Sequence, residues 1–230
     1  MKIAKLSPRL ASAADFVRWG AVLADVGTDH AHLPLFLLET GKIKRAVCTD
    51  VNKGPLDSAK RNAKELGLSD KIDFILTDGA GALAGLGVTD VSICGMGGEL
   101  ISDIIERATH LKNENIRLIL QPMSKQAHLR SYLAENGFRI IEEKYTQEQH
   151  HAYVTILAAY SGEKYEISEV EAQIGKLPLD FCDTARIKYI NSRIASLARA
   201  VGGKGKSSNT ENPEAQLLEK IREIMKGESK

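Results

Sequence analysis

The chain has 230 residues, of which 43% are hydrophobic and 27% charged, and its 31 basic and 30 acidic side chains leave a formal net charge of +1. This composition is that of an ordinary globular protein, and it excludes the fibrous, collagen-like and disordered classes. We expect no membrane span and no export signal, because no apolar run approaches the roughly 18 residues of a membrane helix and the N-terminus lacks the apolar core of a signal peptide.

The first 160 residues alternate helix-like and strand-like segments. Ser7-Pro8 is typical of an N-cap followed by proline at the first helical position, and it predicts a helix that continues to about Val17. The next predicted strands are Ala21–Val26, Ala46–Thr49, Ile72–Leu76, Asp90–Cys94 and Ile116–Leu120. The predicted helices among them are His32–Thr40, Pro55–Leu66, Leu100–Thr109 and Lys125–Asn136.

Repeated β-α-β units predict a parallel sheet with helices on both faces. Phe138–Lys144 and Ala152–Ala159 are two further predicted strands that are joined by a short link without a helix. A link of this kind joins antiparallel strands. The sequence therefore predicts an α/β fold with a seven-stranded, mostly parallel sheet and an antiparallel final strand.

The pattern changes after about residue 160, where apolar residues step by three and four. Three segments show this spacing: Ile167–Leu177, Ile187–Val201 and Leu217–Ile224. The spacing is that of a coiled-coil seam, and the residues 202–213, GGKGKSSNTENP, are typical of a flexible turn. We therefore expect a first domain over residues 1–160 and a small α-helical, coiled-coil-like domain over residues 161–230.

The second predicted helix of this C-terminal segment is strongly basic. No acidic residue occurs from Thr184 to Thr210. The run contains the basic residues Arg186, Lys188, Arg193, Arg199, Lys204 and Lys206. It fits a solvated helix face, a dimerisation scaffold or an electrostatic footprint for a polyanion, and we favour a monomer.

Acids or glycines follow four of the five predicted parallel strands. The segments after the five strands are Asp25–His30, Thr49–Asn52, Thr77–Ala80, Gly95–Glu99 and Gln121–Met123. Ligands of open parallel sheets bind beyond the carboxyl ends of the strands, near the point where the strand order reverses. These segments therefore predict a ligand-binding site at one edge of the sheet.

The residue types at this edge favour a nucleoside ligand that has no pyrophosphate. Asp50 suits the hydroxyls of a ribose, and Gly27 allows the backbone to approach a ligand. Asp78 suits the exocyclic amine of an adenine, and Asp25 suits a cationic ammonium. The GxGxxG fingerprint is missing after the first strand, which disfavours NAD and FAD. S-adenosylmethionine has this profile.

The cluster Asp29, His30 and His32 raises the question of a metal or an acid–base dyad. Two histidines two positions apart point to different faces of a helix, and no HExxH pattern with a third ligand is present. The three cysteines, Cys48, Cys94 and Cys182, lie far apart without a CxxC pair. We therefore expect no metal site and no disulfide framework, and we expect a cytoplasmic protein.

The segments ADVGTDHAHLP, CTDVN, TDGA, CGMGGELI and LQPM resemble, in this order and spacing, the bacterial tRNA adenine-N1-methyltransferases that modify adenine 22 in the D-arm, the TrmK family. The resemblance covers the whole chain. It implies a class I methyltransferase domain with a Rossmann-like sheet, and methyl transfer from S-adenosylmethionine to N1 of adenine in tRNA. It also implies that the coiled-coil-like domain helps to hold the tRNA. A methyltransferase of another RNA or protein and a non-catalytic RNA-binding module are the alternatives.

The site residues follow from these segments. The expected cofactor-binding residues are Asp25, Gly27, Thr28, Asp50, Val51, Asp78, Gly79 and Gly95. Asp29 and His30 are expected to face the adenine as catalytic residues, with Asp29 stabilising the cationic ring, whereas His32 is expected to face neither ligand. The expected tRNA contacts are Met96, Gly97, Gln121, Tyr153, Arg186, Arg193, Lys204 and Lys206. Arg9 is expected to reach the cofactor carboxylate or a phosphate, or to be a plain helix-end arginine.

Overall fold

The computed structural model describes residues 5–203 and 212–227. The strands are β1 (Ala21–Val26), β2 (Ile43–Asp50), β3 (Ile72–Leu76), β4 (Asp90–Gly97), β5 (Arg117–Ser124), β6 (Phe138–Glu148) and β7 (His151–Tyr160). They form one sheet in the order β3-β2-β1-β4-β5-β7-β6. The first five strands are parallel, whereas β7 is antiparallel to both of its neighbours. The predicted mostly parallel sheet with an antiparallel final strand is confirmed.

Helices cover both faces of the sheet. They are α1 (Pro8–Phe16), α2 (His32–Glu39), α3 (Lys53–Glu65), α4 (Gly98–Arg107), α5 (Gln126–Glu135), α6 (Glu169–Ile174), α7 (Thr184–Gly203) and α8 (Pro213–Gly227). One apolar cluster joins α1, α2 and α3 to the sheet, and a second joins it to α4, α5 and the C-terminal helices. Ser7 caps α1 by accepting a hydrogen bond from the Leu10 N–H at 3.4 Å, and Pro8 occupies the first helical position, as predicted.

The C-terminal helices share the core of the second sheet face. Ile190 of α7 and Ile221 of α8 are fully buried in the same apolar cluster as Ile156 of β7. Helix α6 is shorter than the predicted segment, because Gly175 ends it with a φ of +85°. A side-chain carbon at Gly175 would stand 2.1 Å from the Tyr145 hydroxyl, so the chain can pass there only as glycine. The domain division at residue 160 stays a prediction.

A buried arginine that forms an ion pair with the sheet also contacts two of the C-terminal helices. The Arg130 Nε of α5 lies 2.6 Å from the Glu143 Oε1 of β6, and both side chains are almost fully buried. Arg130 Nη1 also donates to the Ala172 carbonyl of α6 at 2.8 Å and to the Tyr189 hydroxyl of α7 at 3.3 Å. One guanidinium therefore joins four elements of the fold.

Over residues 5–203 and 212–227, none of the helices combines the length and the apolar character that a membrane crossing requires.

Candidate active site

A cavity of about 480 Å³ opens at the carboxyl ends of the parallel strands. It lies where the strand order reverses between β1 and β4, the usual ligand position in open parallel sheets. Its volume is in the range of small-molecule sites. Among the residues that line it are Arg9, Asp25, Gly27, Asp29, His32, Asp50, Val51, Asp78, Gly79, Gly95 and Met96. The structure thus brings together most of the predicted cofactor residues.

Asp25 is the buried acid of this cavity. Its Oδ2 accepts a hydrogen bond from the Thr28 hydroxyl at 2.5 Å, and its Oδ1 accepts one from the Ser92 hydroxyl at 2.7 Å. Burial raises the pKa of Asp25, whereas the bonds from Ser92 and Thr28 act in the opposite direction. Thr28 is itself fully buried and lies outside the cavity wall, so it orients Asp25 where the sequence predicted a direct cofactor contact.

Gly27 and Met96 lie against each other in the wall of the cavity. The φ of Gly27 is +72°, and a side-chain carbon built on it would stand 2.0 Å from the Met96 Cε. The N–H groups of Gly27 and Thr28 both donate to the Thr49 carbonyl, at 2.8 and 2.9 Å, which fixes the loop after β1 against β2. A residue with a side chain at position 27 would therefore displace Met96 from the cavity wall.

Asp50 ends β2 with its carboxylate oriented by the chain that follows. Its Oδ1 accepts a hydrogen bond from the Asn52 N–H at 2.7 Å, which leaves Oδ2 for a ligand. Val51 is 62% exposed and lines the cavity beside it. Asp50 thus provides a hydrogen-bond acceptor that suits a ribose, and Val51 provides an apolar surface that suits its base, at the same strand end.

Asp78 lies in the wall at the end of β3 but is already paired. Arg107 Nη1 of α4 donates to Asp78 Oδ2 at 2.6 Å, and this hydrogen bond, with the charge of Arg107, lowers the pKa of the carboxyl. Gly79 follows it with a φ of +76°. The predicted contact of Asp78 with an adenine amine would have to share the carboxylate with Arg107, and it stays a prediction.

The structure differs from the sequence interpretation at the two histidines. Asp29 and His32 line the cavity, and His30 does not. His30 and Ala31 adopt φ values of +59° and +56°, so this stretch turns sharply before α2 begins at His32. His30 Nε2 lies 3.3 Å from Asp29 Oδ1. His32 was expected to face neither ligand, and the chain after this left-handed turn places it in the cavity wall.

Two of the predicted substrate contacts belong to the framework of the site. Gln121 is fully buried, and its Oε1 accepts hydrogen bonds from Arg9 Nη1 at 2.7 Å and from the Gly95 N–H at 3.1 Å. Gly97 caps the N-terminus of α4, and a side-chain carbon there would stand 3.2 Å from the Ser124 Oγ. Both residues lie outside the cavity wall and support its loops, and their contact with tRNA stays a prediction.

Tyr153 lies on β7, away from the cavity wall. It shares a face of the strand with Thr155, whose hydroxyl bonds with Ser12 of α1 at 3.0 Å. The ring centroid of Tyr153 is 6.3 Å from that of His151. Its contact with tRNA stays a prediction.

The two arginines predicted to bind phosphate on α7 are engaged inside the fold. Arg186 donates to the Lys176 carbonyl and stacks over the Tyr145 ring at 5.2 Å. Arg193 donates to the Gln173 Oε1 at 3.0 Å and to Gln126. These bonds engage part of each guanidinium, and the contact of Arg186 and Arg193 with tRNA stays a prediction. The predicted contacts Lys204 and Lys206 lie outside the described residues.

Sequence reasoning missed Ser92 as the second hydrogen-bond donor to Asp25, and it missed Gln121 as the acceptor for Arg9 and for the Gly95 N–H. Both are polar residues inside strands that are otherwise apolar, in DVSIC and LILQ, and this interruption is the signal that identifies them. In the part of the chain that the structure describes, no three His, Cys, Asp or Glu side chains come close enough together to hold a metal ion.

Comparison with known proteins agrees with this geometry. Residues 6–156 match the model of a methyltransferase domain. The tRNA (adenine(22)-N(1))-methyltransferase of Bacillus subtilis is 34% identical over 160 residues, which cover 70% of this chain and 67% of that protein.

Two solved structures share the fold over nearly the whole chain. A Streptococcus pneumoniae protein in complex with S-adenosyl-L-methionine is 32% identical, with a TM-score of 0.81 and coverage of 97% of this chain and 99% of that chain. Mycoplasma capricolum TrmK in complex with S-adenosyl-homocysteine is 26% identical, with a TM-score of 0.78 and coverage of 96% and 97%. The chain therefore belongs to the TrmK family of tRNA (adenine(22)-N(1))-methyltransferases.

Proposed function

We propose that this protein is a cytoplasmic, monomeric enzyme that transfers a methyl group from S-adenosylmethionine to N1 of adenine 22 in the D-arm of tRNA. The observation that carries the proposal is the joint placement of Asp25, Gly27 and Asp50 around one cavity at the reversal of the strand order. The relatives whose names state this reaction support the same substrate and the same methylated atom.

The residues of the cavity fit the methyl donor. Within residues 5–203 and 212–227, Asp50 Oδ2 has no hydrogen-bond donor and is available to the ribose hydroxyls, and the buried carboxylate of Asp25 suits a positively charged group. Gly27 has a φ of +72° and packs against the Met96 methyl group, so a side chain at position 27 would disturb this part of the wall. When bound, S-adenosylmethionine supplies an electrophilic methyl group on a sulfonium.

With the methyl donor bound, the protein has to position the adenine for the attack, and it does not have to activate N1 of the adenine. Adenine N1 carries a lone pair at neutral pH, so no general base is needed before the attack, and catalysis can rest on alignment. The base must be unpaired or extruded from the tRNA, since N1 lies on the pairing edge. Met96 and Leu100 provide apolar surface in the wall, and Asp29 provides a carboxylate for the cationic ring that forms.

Primer-extension mapping tests this proposal. The protein is incubated with methyl-labelled donor and an unmodified tRNA transcript, and the reverse-transcription stop is located. We expect one stop that reports position 22, because N1-methylation blocks pairing, and no label in a matched transcript with guanosine at that position.

The alternatives give different results. Label in another RNA or in protein, with none in tRNA, would indicate a methyltransferase of another substrate. Calorimetry without saturable heat for S-adenosylmethionine would indicate a non-catalytic RNA-binding module. Light scattering of the purified protein tests whether it is a monomer in solution.

A further inference from the structure

A second cavity lies between β6, α5, α6 and the segment 161–167 that follows β7, and it shares no lining residue with the candidate active site. Its volume is about 420 Å³, in the range of small-molecule sites. We propose that this cavity binds an uncharged molecule built on a planar ring with a carbonyl or amide oxygen, and that the Arg130 guanidinium recognises this oxygen.

Arg130 is a fully buried side chain with hydrogen-bond donors to spare. Its Nε donates to Glu143 Oε1 at 2.6 Å, and its Nη1 donates to the Ala172 carbonyl at 2.8 Å and to the Tyr189 hydroxyl at 3.3 Å. Over residues 5–203 and 212–227, its Nη2 is buried without a hydrogen-bond partner. Buried polar groups are almost always satisfied in folded proteins, so the two N–H groups of Nη2 require an acceptor.

The free donors are on the side of the guanidinium that faces the cavity. Nε and Nη2 share one edge of this planar group. Glu143, the partner of Nε, lines the cavity, whereas Ala172 and Tyr189, the partners of Nη1, do not. An acceptor inside the cavity can therefore reach Nη2 without breaking any of the existing bonds of Arg130.

The neutrality of the buried pair determines which acceptor fits. The side chains of Arg130 and Glu143 are 1% and 8% exposed, and their charges cancel. A ligand carboxylate would add a second negative charge beside Glu143 and lose its water without gaining an unpaired cation. A neutral carbonyl oxygen accepts the same N–H groups without this cost. The other charged side chains of the wall are three bases and three acids, which add no net charge: Arg139, Lys164, Lys176, Glu163, Glu166 and Glu171.

Apolar surface provides room for the ring of the ligand. Ile140 of β6, Tyr165 and Ile167 line the cavity. Tyr165 is held at two points, because its main-chain N–H donates to the Ala134 carbonyl at 3.2 Å and its hydroxyl accepts a hydrogen bond from the Ile140 N–H at 3.4 Å. A planar ring that packs against these side chains can direct its oxygen to Arg130.

Three probes of nearly the same shape test the chemistry of the site. Benzamide is neutral and carries the oxygen, benzoate adds a negative charge, and benzamidine is cationic and has no oxygen. We expect benzamide to bind with a Kd on the order of 1 mM, benzoate to bind at least about threefold more weakly, and benzamidine to show no saturation. Titration of the full chain, followed by NMR of the backbone amides and of the Arg130 Nε–H, locates each probe.

Variants of the wall test the location. Ile167→Trp fills the cavity and should abolish benzamide binding, whereas its affinity for S-adenosylhomocysteine should equal that of wild type. Ile141→Trp is the matched control, because Ile141 is exposed on β6 and does not line the cavity. Arg130→Lys keeps a cation beside Glu143 but has no Nη2, and it should weaken benzamide binding at least about tenfold. Thermal unfolding shows whether each variant is folded, and if Arg130→Lys is not, the two tryptophan variants decide.

Three outcomes would overturn the inference. Tighter binding of benzoate than of benzamide would show that the site takes an anion. Equal affinity of wild type and Ile167→Trp for benzamide would place the probe elsewhere on the protein. No saturable binding of any probe would show that Arg130 Nη2 is satisfied by water alone.

Discussion

The carbonyl oxygen of Lys125 lies against Gly98, where a side-chain carbon would stand 2.3 Å from it. Lys125 has a φ of +55° and precedes α5, and Gly98 is the first residue of α4. The loops after β4 and β5 are therefore in direct backbone contact beside the cavity. The contact requires a residue without a side chain at position 98.

Gly98→Ala should destabilise the protein by about 1–3 kcal/mol, because backbone has to move to admit the methyl group. Gly54→Ala is the matched control in α3, where nothing lies within 4 Å of the added carbon. It should stabilise by about 0.5–1 kcal/mol through helix propensity. Urea unfolding measures both, and equal midpoints for the two variants would contradict the contact.

Asp50→Asn should weaken donor binding about ten- to a hundredfold, because a carboxylate accepts hydrogen bonds from ribose hydroxyls more strongly than an amide oxygen does. Asp70→Asn, in the exposed turn before β3, changes the net charge equally and should have no effect. Calorimetry with S-adenosylhomocysteine compares the two. The ribose assignment is wrong if both variants bind like wild type.

Asp25→Asn tests the raised pKa of the buried acid. A carboxyl whose folded pKa is raised contributes stability below its unfolded pKa and loses that contribution as pH rises through the folded pKa. Without bound ligand, the Asp25→Asn variant should therefore have a higher melting temperature than wild type at neutral pH. The difference in melting temperature should shrink in acid. Thermal melts at intervals of about one pH unit, from about pH 4 to about pH 8, measure the difference in melting temperature between the two proteins.

The same variant should bind S-adenosylmethionine less well than wild type, with a smaller loss for S-adenosylhomocysteine. Both ligands carry the ammonium that Asp25 suits, but the sulfur is a cationic sulfonium in the first and a neutral thioether in the second, so the first gains more from the negative charge of Asp25. Equal losses for the two ligands would show that Asp25 does not sense the sulfonium.

Asp29→Ala should lower the single-turnover rate about tenfold, because its carboxylate is placed to stabilise the cationic product ring. The effect is modest, since the Asp29 side chain is 79% exposed. His30→Ala, whose side chain lies outside the cavity wall, should have a smaller effect than His32→Ala. An intact rate with weakened binding in Asp29→Ala would exclude the electrostatic role.

Arg130→Met should destabilise the protein by about 3–5 kcal/mol, because it leaves the buried carboxylate of Glu143 without its partner. Tyr189→Phe removes only the hydroxyl that Arg130 contacts and should cost about 1 kcal/mol. Denaturant unfolding gives both values. The ion pair has no structural importance if the two variants are equally stable.

The strands, their direction and the edge that holds the cavity were predictable from the sequence. Periodicity and strand-end residues are local signals, and Asp25, Gly27 and Asp50 lie at strand ends whose positions follow from the β-α-β order alone. The antiparallel hairpin of β6 and β7 was predictable for the same reason, since a short link leaves few other connections.

The side-chain partners were not predictable, because they come from distant parts of the chain. The distinction between His30 and His32 depends on a left-handed turn at His30 and Ala31, and nothing in those residue types requires it. Gln121 and Arg193 look like polar surface residues in sequence, and only the folded chain brings Arg9 to the first and Gln173 to the second.

The Arg130–Glu143 pair sets a distance within the enzyme. The Arg130 guanidinium that Glu143 holds also donates to the Ala172 carbonyl of α6 and to the Tyr189 hydroxyl of α7, so these helices cannot slide relative to α5 without breaking buried hydrogen bonds. The resemblance implies that these helices help to hold the tRNA. If they do, the tRNA would be held at a fixed distance from the cavity, and the choice of one adenine would depend on that distance as well as on the chemistry of the site.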